Sequence, residues 1–177
     1  MAPSTAIALI GYRGTGKTTV AQVLAERLHY HWVDADDEIE SRSGTTIAEI
    51  FADSGEDAFR DLEATVVADL CSRSTTVIAM GGGAVLREEN QKCLANCQAV
   101  VWLTASAEAI QERISADPST GARRPNLTNH GGRTEIEVLL AQREPIYRAC
   151  ATLVVDTEGR APAEIAVEIA THISSHQ

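Results

Sequence analysis

Lysine is scarce in this 177-residue chain, where Lys17 and Lys92 stand against 13 arginines. Cationic chemistry therefore rests on guanidinium, the group suited to bidentate grip on carboxylate and phosphate, although a GC-rich coding sequence produces the same bias. Positive charge as a whole is also short: 15 Lys+Arg against 25 Asp+Glu give a net charge of −10. That balance excludes a protein that coats nucleic-acid phosphates and a polybasic membrane module. Any anionic ligand must meet a local positive well. Long apolar runs are missing, none approaching the roughly 18–20 residues of a membrane span. The early Ala6-Ile7-Ala8-Leu9-Ile10 run has neither a basic flank nor a cleavage-like end, so the chain is expected to be unprocessed and cytoplasmic. Paired cysteine motifs are missing too. Cys71, Cys93, Cys97 and Cys150 form no CxxC and have no histidine at metal-ligand spacing, which argues against a zinc site or disulfide framework and for reduced thiols. His29, His31, His130, His172 and His176 likewise show no ligand spacing. Trp32 and Trp102 fall in candidate strands, where packing is the expectation.

What is present is the composition of an ordinary globular domain, 44% hydrophobic and 23% charged, at a length that fits one domain of roughly 150 residues with a small insertion. Short apolar runs at Ala6–Ile10, His31–Asp34, Thr76–Met80, Ala99–Leu103 and Thr152–Val155 alternate with helical patterns, which predicts βαβ units around one parallel sheet. Val20, Val23, Leu24 and Leu28 recur at helical spacing, as do Phe59, Leu62, Val66 and Leu70. Thr46-Ile47-Ala48-Glu49 has the form of a capping box opening a short helix that stops near Ser54-Gly55. Residues 35–72 thus read as helices inserted between the second and third strands. Pro162, Ile165, Ile169 and Ile173 predict a closing amphipathic helix. From Ser115 to Arg133 periodicity gives way to Asp, Pro, Ser, Thr, Gly and Asn, the pattern of a lid loop or of a tolerated surface insertion. No repeat or linker divides the chain.

Gly11-Tyr12-Arg13-Gly14-Thr15-Gly16-Lys17-Thr18 fits G-x-x-x-x-G-K-[ST] between an apolar strand and an amphipathic helix. The bare pattern arises by chance in roughly 0.6% of chains this long. Glycines let successive N–H groups wrap a phosphate, and the following helix presents its positive end. Gly14, Thr15, Gly16, Lys17, Thr18 and Thr19 are the candidate ATP-binding residues, with Lys17 reaching the β- and γ-phosphates and Thr18 able to ligate Mg²⁺. The loop does not say what receives the phosphate.

Candidates for the acceptor side lie elsewhere. An alternating strand carries Asp34 and Asp36 to one face at its C-terminal end, where ligands of open α/β sheets bind. One carboxylate there could serve Mg²⁺ and the other a substrate hydroxyl, or both could be solvated or capping acids, since Asp37 and Glu38 continue the acidic run. Gly81-Gly82-Gly83 after the third strand allows backbone amides close to a ligand, or is simply a turn. Ile136, Leu139, Leu140 and Tyr147 form an apolar helical stripe on which Arg143 also falls. A guanidinium there needs an anion, either an internal carboxylate or a substrate. Arg60, next to Phe59, poses the same question, and Pro145 is expected to end or kink the helix after Arg143.

The ordered set GYRGTGKT, Asp34-Ala35-Asp36, Phe59-Arg60-Asp61-Leu62-Glu63, Gly81–Gly83, Arg124-Pro125 and Gln142-Arg143-Glu144-Pro145-Ile146-Tyr147 resembles the shikimate kinase family, from the N-terminus through Val155-Asp156-Thr157. The resemblance implies a three-layer, nucleoside-monophosphate-kinase-like fold with a five-stranded parallel sheet of order 2-3-1-4-5. It also implies phosphoryl transfer from ATP to the 3-hydroxyl of shikimate. By motif, Thr18 and Asp34 would serve Mg²⁺, and Asp36 would bind the acceptor hydroxyls and act as base. Arg60, Arg143 and the Gly82 backbone would hold the acceptor carboxylate, with Lys17 and Arg124 on the transferring phosphoryl group. Arg160 matches a position near the adenine loosely. The expected enzyme is a monomer acting on small molecules, with no nucleic acid or membrane partner. The 115–133 segment is longer than usual for the family, and Asn126 stands where leucine is common. A gluconate kinase, whose acceptor is also a hydroxylated carboxylate, and an ATP-binding module without turnover are the competing readings.

Overall fold

The computed structural model describes residues 5–117 and 132–175. Five parallel strands, β1 (Ile7–Ile10), β2 (His31–Asp34), β3 (Thr76–Ala79), β4 (Ala99–Thr104) and β5 (Leu153–Asp156), form one sheet in the order β2-β3-β1-β4-β5. The helices are α1 (Lys17–Leu28), α2 (Ala35–Ser43), α3 (Ile47–Ser72), α4 (Glu88–Leu94), α5 (Ala107–Ala116), α6 (Gly132–Cys150) and α7 (Pro162–Ser174).

Parallel strands covered on both faces are apolar throughout, and alternate residues serve opposite layers. Ile7 and Leu9 of β1 join Val77, Val101 and Leu103 in a core beneath α1 and α7, whereas Ala8 and Ile10 join Ile78, Val100 and Trp102 in a core shared with α3. Both faces of β1 are buried, and it holds the middle of the sheet. Its neighbours β3 and β4 lie on opposite sides, so the loop leaving β1 opens at the switch in strand order, where such sheets bind ligands.

Helix ends follow the sequence signals. Thr46 Oγ1 accepts from the Glu49 N–H at 3.2 Å while Glu49 Oε2 accepts from the Thr46 N–H at 2.8 Å. A bond from the Thr45 hydroxyl, with this capping box beside it, holds the pKa of the Glu49 carboxyl down to about 2. Gly55, at φ 82° and ψ 177°, breaks α3 internally, and Phe51 and Phe59 stack across the break with centroids 4.8 Å apart.

Three expectations are corrected. Trp32 is 41% exposed because β2 is an edge strand, while Trp102 is buried against Tyr147. Leu62 is 38% exposed on the outer side of α3. Of the two outcomes expected at Pro145, an end to the helix does not occur, since α6 continues to Cys150; the ring removes the N–H that would have bonded to the Ala141 carbonyl. No described helix is long and apolar enough to cross a membrane.

Candidate active site

The phosphate-type loop sits where β1 meets α1. Gly14 and Gly16 take left-handed φ of 81° and 87°, a conformation that glycine adopts without penalty. Gly11 is required for a different reason, because a Cβ there would lie 2.5 Å from the Leu103 carbonyl oxygen of β4. Lys17 is buried and its Nζ donates to the Gly11 and Tyr12 carbonyls at 2.9 and 2.8 Å. The cation is thereby held over the loop. The Thr15 hydroxyl also donates to the Tyr12 carbonyl, at 2.8 Å, and Thr19 follows Thr18 in the first turn of α1.

Thr18 Oγ1 donates to Asp34 Oδ2 at 2.7 Å, joining α1 to the end of β2. Asp34 is also the N-cap of α2, its Oδ1 accepting from the Asp36 N–H at 2.9 Å and from the Asp37 N–H at 3.4 Å. Two-residue alternation does not carry Asp36 to the same strand face as Asp34. The strand ends at Asp34 and Asp36 lies half-buried in the first turn of α2, because capping starts a helix before the next strand position. Burial pushes the Asp34 carboxyl above its ordinary value despite the Thr18 bond. A desolvated carboxylate beside a hydroxyl oxygen is a donor set that suits a hard divalent cation, which takes one or two carboxylates and otherwise water or phosphate.

Arg60 and Arg143 both reach the Gly82-Gly83 turn, and both are buried, at 6% and 8% exposure. Arg60 donates through Nη1 to Glu63 Oε2 at 2.6 Å and through Nη2 to Glu56 at 3.1 Å. Burial works against its charge, and the Glu63 and Glu56 carboxylates outweigh it. A Cβ at Gly83 would fall 2.6 Å from Arg60 Nη2, so the third glycine leaves room for a guanidinium. Arg143 extends from α6 to the Gly82 carbonyl at 3.4 Å, and Tyr147, one helical turn on, donates its hydroxyl to the same oxygen at 2.5 Å. The internal anion considered for both arginines is thus present for Arg60.

Other positions separate from this group. Arg160 binds the Asp156 carbonyl and Glu168 beside β5. Arg124, Pro125, Asn126 and His130 lie outside the described residues, as does most of the 115–133 segment. Three contributors escaped the sequence reading. Glu63 is one, and its spacing of three from Arg60 is the sequence signal of a helical ion pair. The Tyr147 hydroxyl is another, hidden in sequence by the apolar stripe to which its ring belongs. Arg113, which links the Gly14 carbonyl at 3.2 Å to Thr157 at 3.0 Å, carries no local signal.

A phosphate-binding loop at the centre of a 2-3-1-4-5 parallel sheet, with a carboxylate pair and buried arginines beside it, defines a P-loop phosphotransferase of the nucleoside-monophosphate-kinase type. Comparison with known proteins narrows this class. The family model "Shikimate kinase" matches residues 13–174. A shikimate kinase of Rhodopirellula baltica is 44% identical over 161 residues, covering 91% of this chain and 86% of the relative. One of Chromobacterium violaceum is 43% identical over 149 residues, covering 84% and 79%. The structure of a shikimate kinase from Acinetobacter baumannii in complex with shikimate superposes with a TM-score of 0.91 at 36% identity, covering 98% of this chain and 95% of that one. A gluconokinase from Sinorhizobium meliloti, at a TM-score of 0.62 and 21% identity, shares the fold alone. The chain belongs to the shikimate kinase family and is an ATP-using phosphotransferase.

Proposed function

We propose that the chain moves the γ-phosphoryl group of ATP onto the 3-hydroxyl of shikimate, with the division of labour set by two walls that meet at Gly82. The observation that carries this reading is that junction. A Cβ at Gly82 would lie 3.4 Å from the Arg13 nitrogen and 3.5 Å from the Gly11 carbonyl of the phosphate loop, and the Gly82 carbonyl itself accepts from Arg143. A small acid that docks its carboxylate on Arg143, Arg60 and the Gly82 backbone is therefore held against the phosphate end of the nucleotide.

In this reading Gly14, Thr15, Gly16 and Thr19 cradle the phosphates through the loop and the start of α1. Lys17 exchanges its two carbonyl bonds for β- and γ-phosphate oxygens and stabilises charge that shifts during transfer. Thr18 and Asp34 would hold Mg²⁺, Asp34 through water. When bound, that ion neutralises phosphate charge and orients the chain for in-line transfer. Asp36 accepts a hydrogen bond from the acceptor hydroxyl and takes its proton as oxygen bonds to phosphorus and ADP leaves. Arg124 supplies a second cation to the transferring group. Residues 35–72 serve as the acceptor-binding insertion and 115–133 as the lid over the nucleotide, Arg160 flanks the adenine, and the enzyme works as a cytoplasmic monomer.

Steady-state ADP release with shikimate, quinate, gluconate and AMP offered in parallel tests the acceptor. Shikimate is expected to give the highest kcat/KM by orders of magnitude. Turnover with gluconate or AMP instead would remove the assignment, and ATP binding with no shikimate-dependent ADP release would leave a binding module.

A further inference from the structure

Arg143 faces a physical problem that Arg60 does not. Both guanidiniums are buried, but the nitrogens of Arg60 are engaged by Glu63 and Glu56. Among the described residues Arg143 has no carboxylate partner; its contacts are the long bond to the Gly82 carbonyl and the face of the Tyr12 ring, 5.7 Å from guanidinium carbon to centroid. A π face compensates a cation through its quadrupole. That contact leaves the in-plane N–H groups available, and those are the donors a carboxylate takes two at a time.

Tyr12 is equipped to hold that ring still. It is buried at 2% exposure and packs with Ile110 of α5 and with Ile136 and Leu139 of α6. Its backbone is committed to the other half of the site, the carbonyl accepting from Lys17 Nζ and from the Thr15 hydroxyl. The motif G-x-x-x-x-G-K-[ST] leaves position 12 open, so nothing in the nucleotide chemistry asks for an aromatic residue there. The position of the ring asks for one.

We infer that Tyr12 is a positioning residue for the acceptor: its ring holds the Arg143 guanidinium ready for a carboxylate, while its backbone serves the nucleotide loop. Tyr12 is thus a specificity element for acidic acceptors carried on a phosphate-binding motif. The inference rests on the reading of Arg143 as a carboxylate ligand.

The test is calorimetric binding of shikimate and of ATP, with initial rates, for Tyr12→Leu, Tyr12→Phe and Arg143→Ala, each checked by thermal melting. Tyr12→Leu keeps apolar volume and loses the π face. It is expected to raise the Kd and KM for shikimate about tenfold, the factor carried by a largely desolvated cation–π contact, with ATP affinity within twofold. Tyr12→Phe keeps the ring and is expected to behave as the unmodified enzyme. Should the leucine variant fail to fold, Tyr12→Met, a more adaptable filler, carries the same comparison. Unchanged shikimate affinity in the folded leucine or methionine variant, or an equal loss for ATP and shikimate, overturns the inference while Arg143→Ala still weakens shikimate. If Arg143→Ala leaves shikimate affinity intact, the carboxylate reading itself fails, and the role of Tyr12 fails with it.

Discussion

The two walls of this site solve the problem of presenting positive charge in different ways. The phosphate wall is made by one uninterrupted segment, residues 11–18, whose cation is parked on its own loop carbonyls. The wall proposed for the acceptor is assembled from α3, the glycine turn after β3, and α6; each of its two arginines lies over an aromatic ring, Phe59 for Arg60 and Tyr12 for Arg143, but Arg60 adds a carboxylate pair where Arg143 adds only a carbonyl. A local wall can be rebuilt by any strand–loop–helix with the right glycines. The dispersed wall depends on three elements packing correctly, so the same kind of substitution should have different consequences on the two sides.

The largest expected effects fall on the phosphate side and on the two aspartates beside it. Lys17→Ala should lower kcat by about 10²-fold or more while the fold survives, because backbone N–H groups and the helix remain. A well-folded variant with near-normal turnover would remove the loop from the reaction. Asp36→Asn keeps the hydrogen-bonding shape of the side chain but cannot accept a proton, and turnover at saturating shikimate should fall about 10²-fold at every Mg²⁺ concentration. Asp34→Asn weakens a metal-shell contact and retains a good N-cap side chain, so excess Mg²⁺ should restore it in part. Equal rescue of the two across a Mg²⁺ series would erase the division of roles. If the transition state is loose, the loss in Asp36→Asn moves from kcat to the shikimate KM.

On the acceptor side, Arg143→Ala and Arg60→Ala should each weaken shikimate binding by about 2–4 kcal/mol and leave ATP within a few-fold. Melting separates them. Removing Arg60 leaves the Glu63 carboxylate buried without its guanidinium, at a cost of about 3–5 kcal/mol of stability, and Glu63→Gln in the same chain should recover much of it. Arg143→Ala strands no carboxylate among the described residues and should melt close to the parent. Equal destabilisation of both variants would contradict the contrast.

Gly83→Ala sharpens the comparison further. Its methyl group would stand 2.6–2.7 Å from the Arg60 nitrogens, and the Glu63 bond hinders the guanidinium from swinging away. The shikimate KM should rise about tenfold with kcat and ATP affinity retained, whereas an unchanged KM would show that the guanidinium yields freely. The smallest effect belongs to Glu49, which lies on the insertion away from both walls. Its folded value of about 2 lies below the ordinary 4.5. Its stabilisation is therefore complete above about pH 4.5 and is lost as the pH falls toward 2. Glu49→Gln should flatten that part of the stability-against-pH curve without changing kinetics at neutral pH, and a curve superposing on the parent's between pH 2 and 5 would refute the capping role.

Sequence by itself determined whatever depends on neighbours in the chain. Apolar runs separated by helical periodicity specified five strands and their helices, Thr46 to Glu49 specified a capping box, and Gly11 to Thr18 specified the phosphate loop, because backbone geometry and capping act over a few residues. The order of the sheet and the acceptor chemistry came through resemblance of whole motifs rather than from any one spacing. Tertiary structure alone decided the rest. Strand order placed β2 at an edge and left Trp32 in solvent, and a cap turned Asp36 from a strand position into a helical one. The partner of a buried arginine divides along the same line: Glu63, one helical turn from Arg60, is within reach of sequence spacing, whereas the ring that faces Arg143 comes from Tyr12, more than a hundred residues earlier, and only packing brings it there. Burial compels a partner for a charge, but only packing brings a distant one within reach.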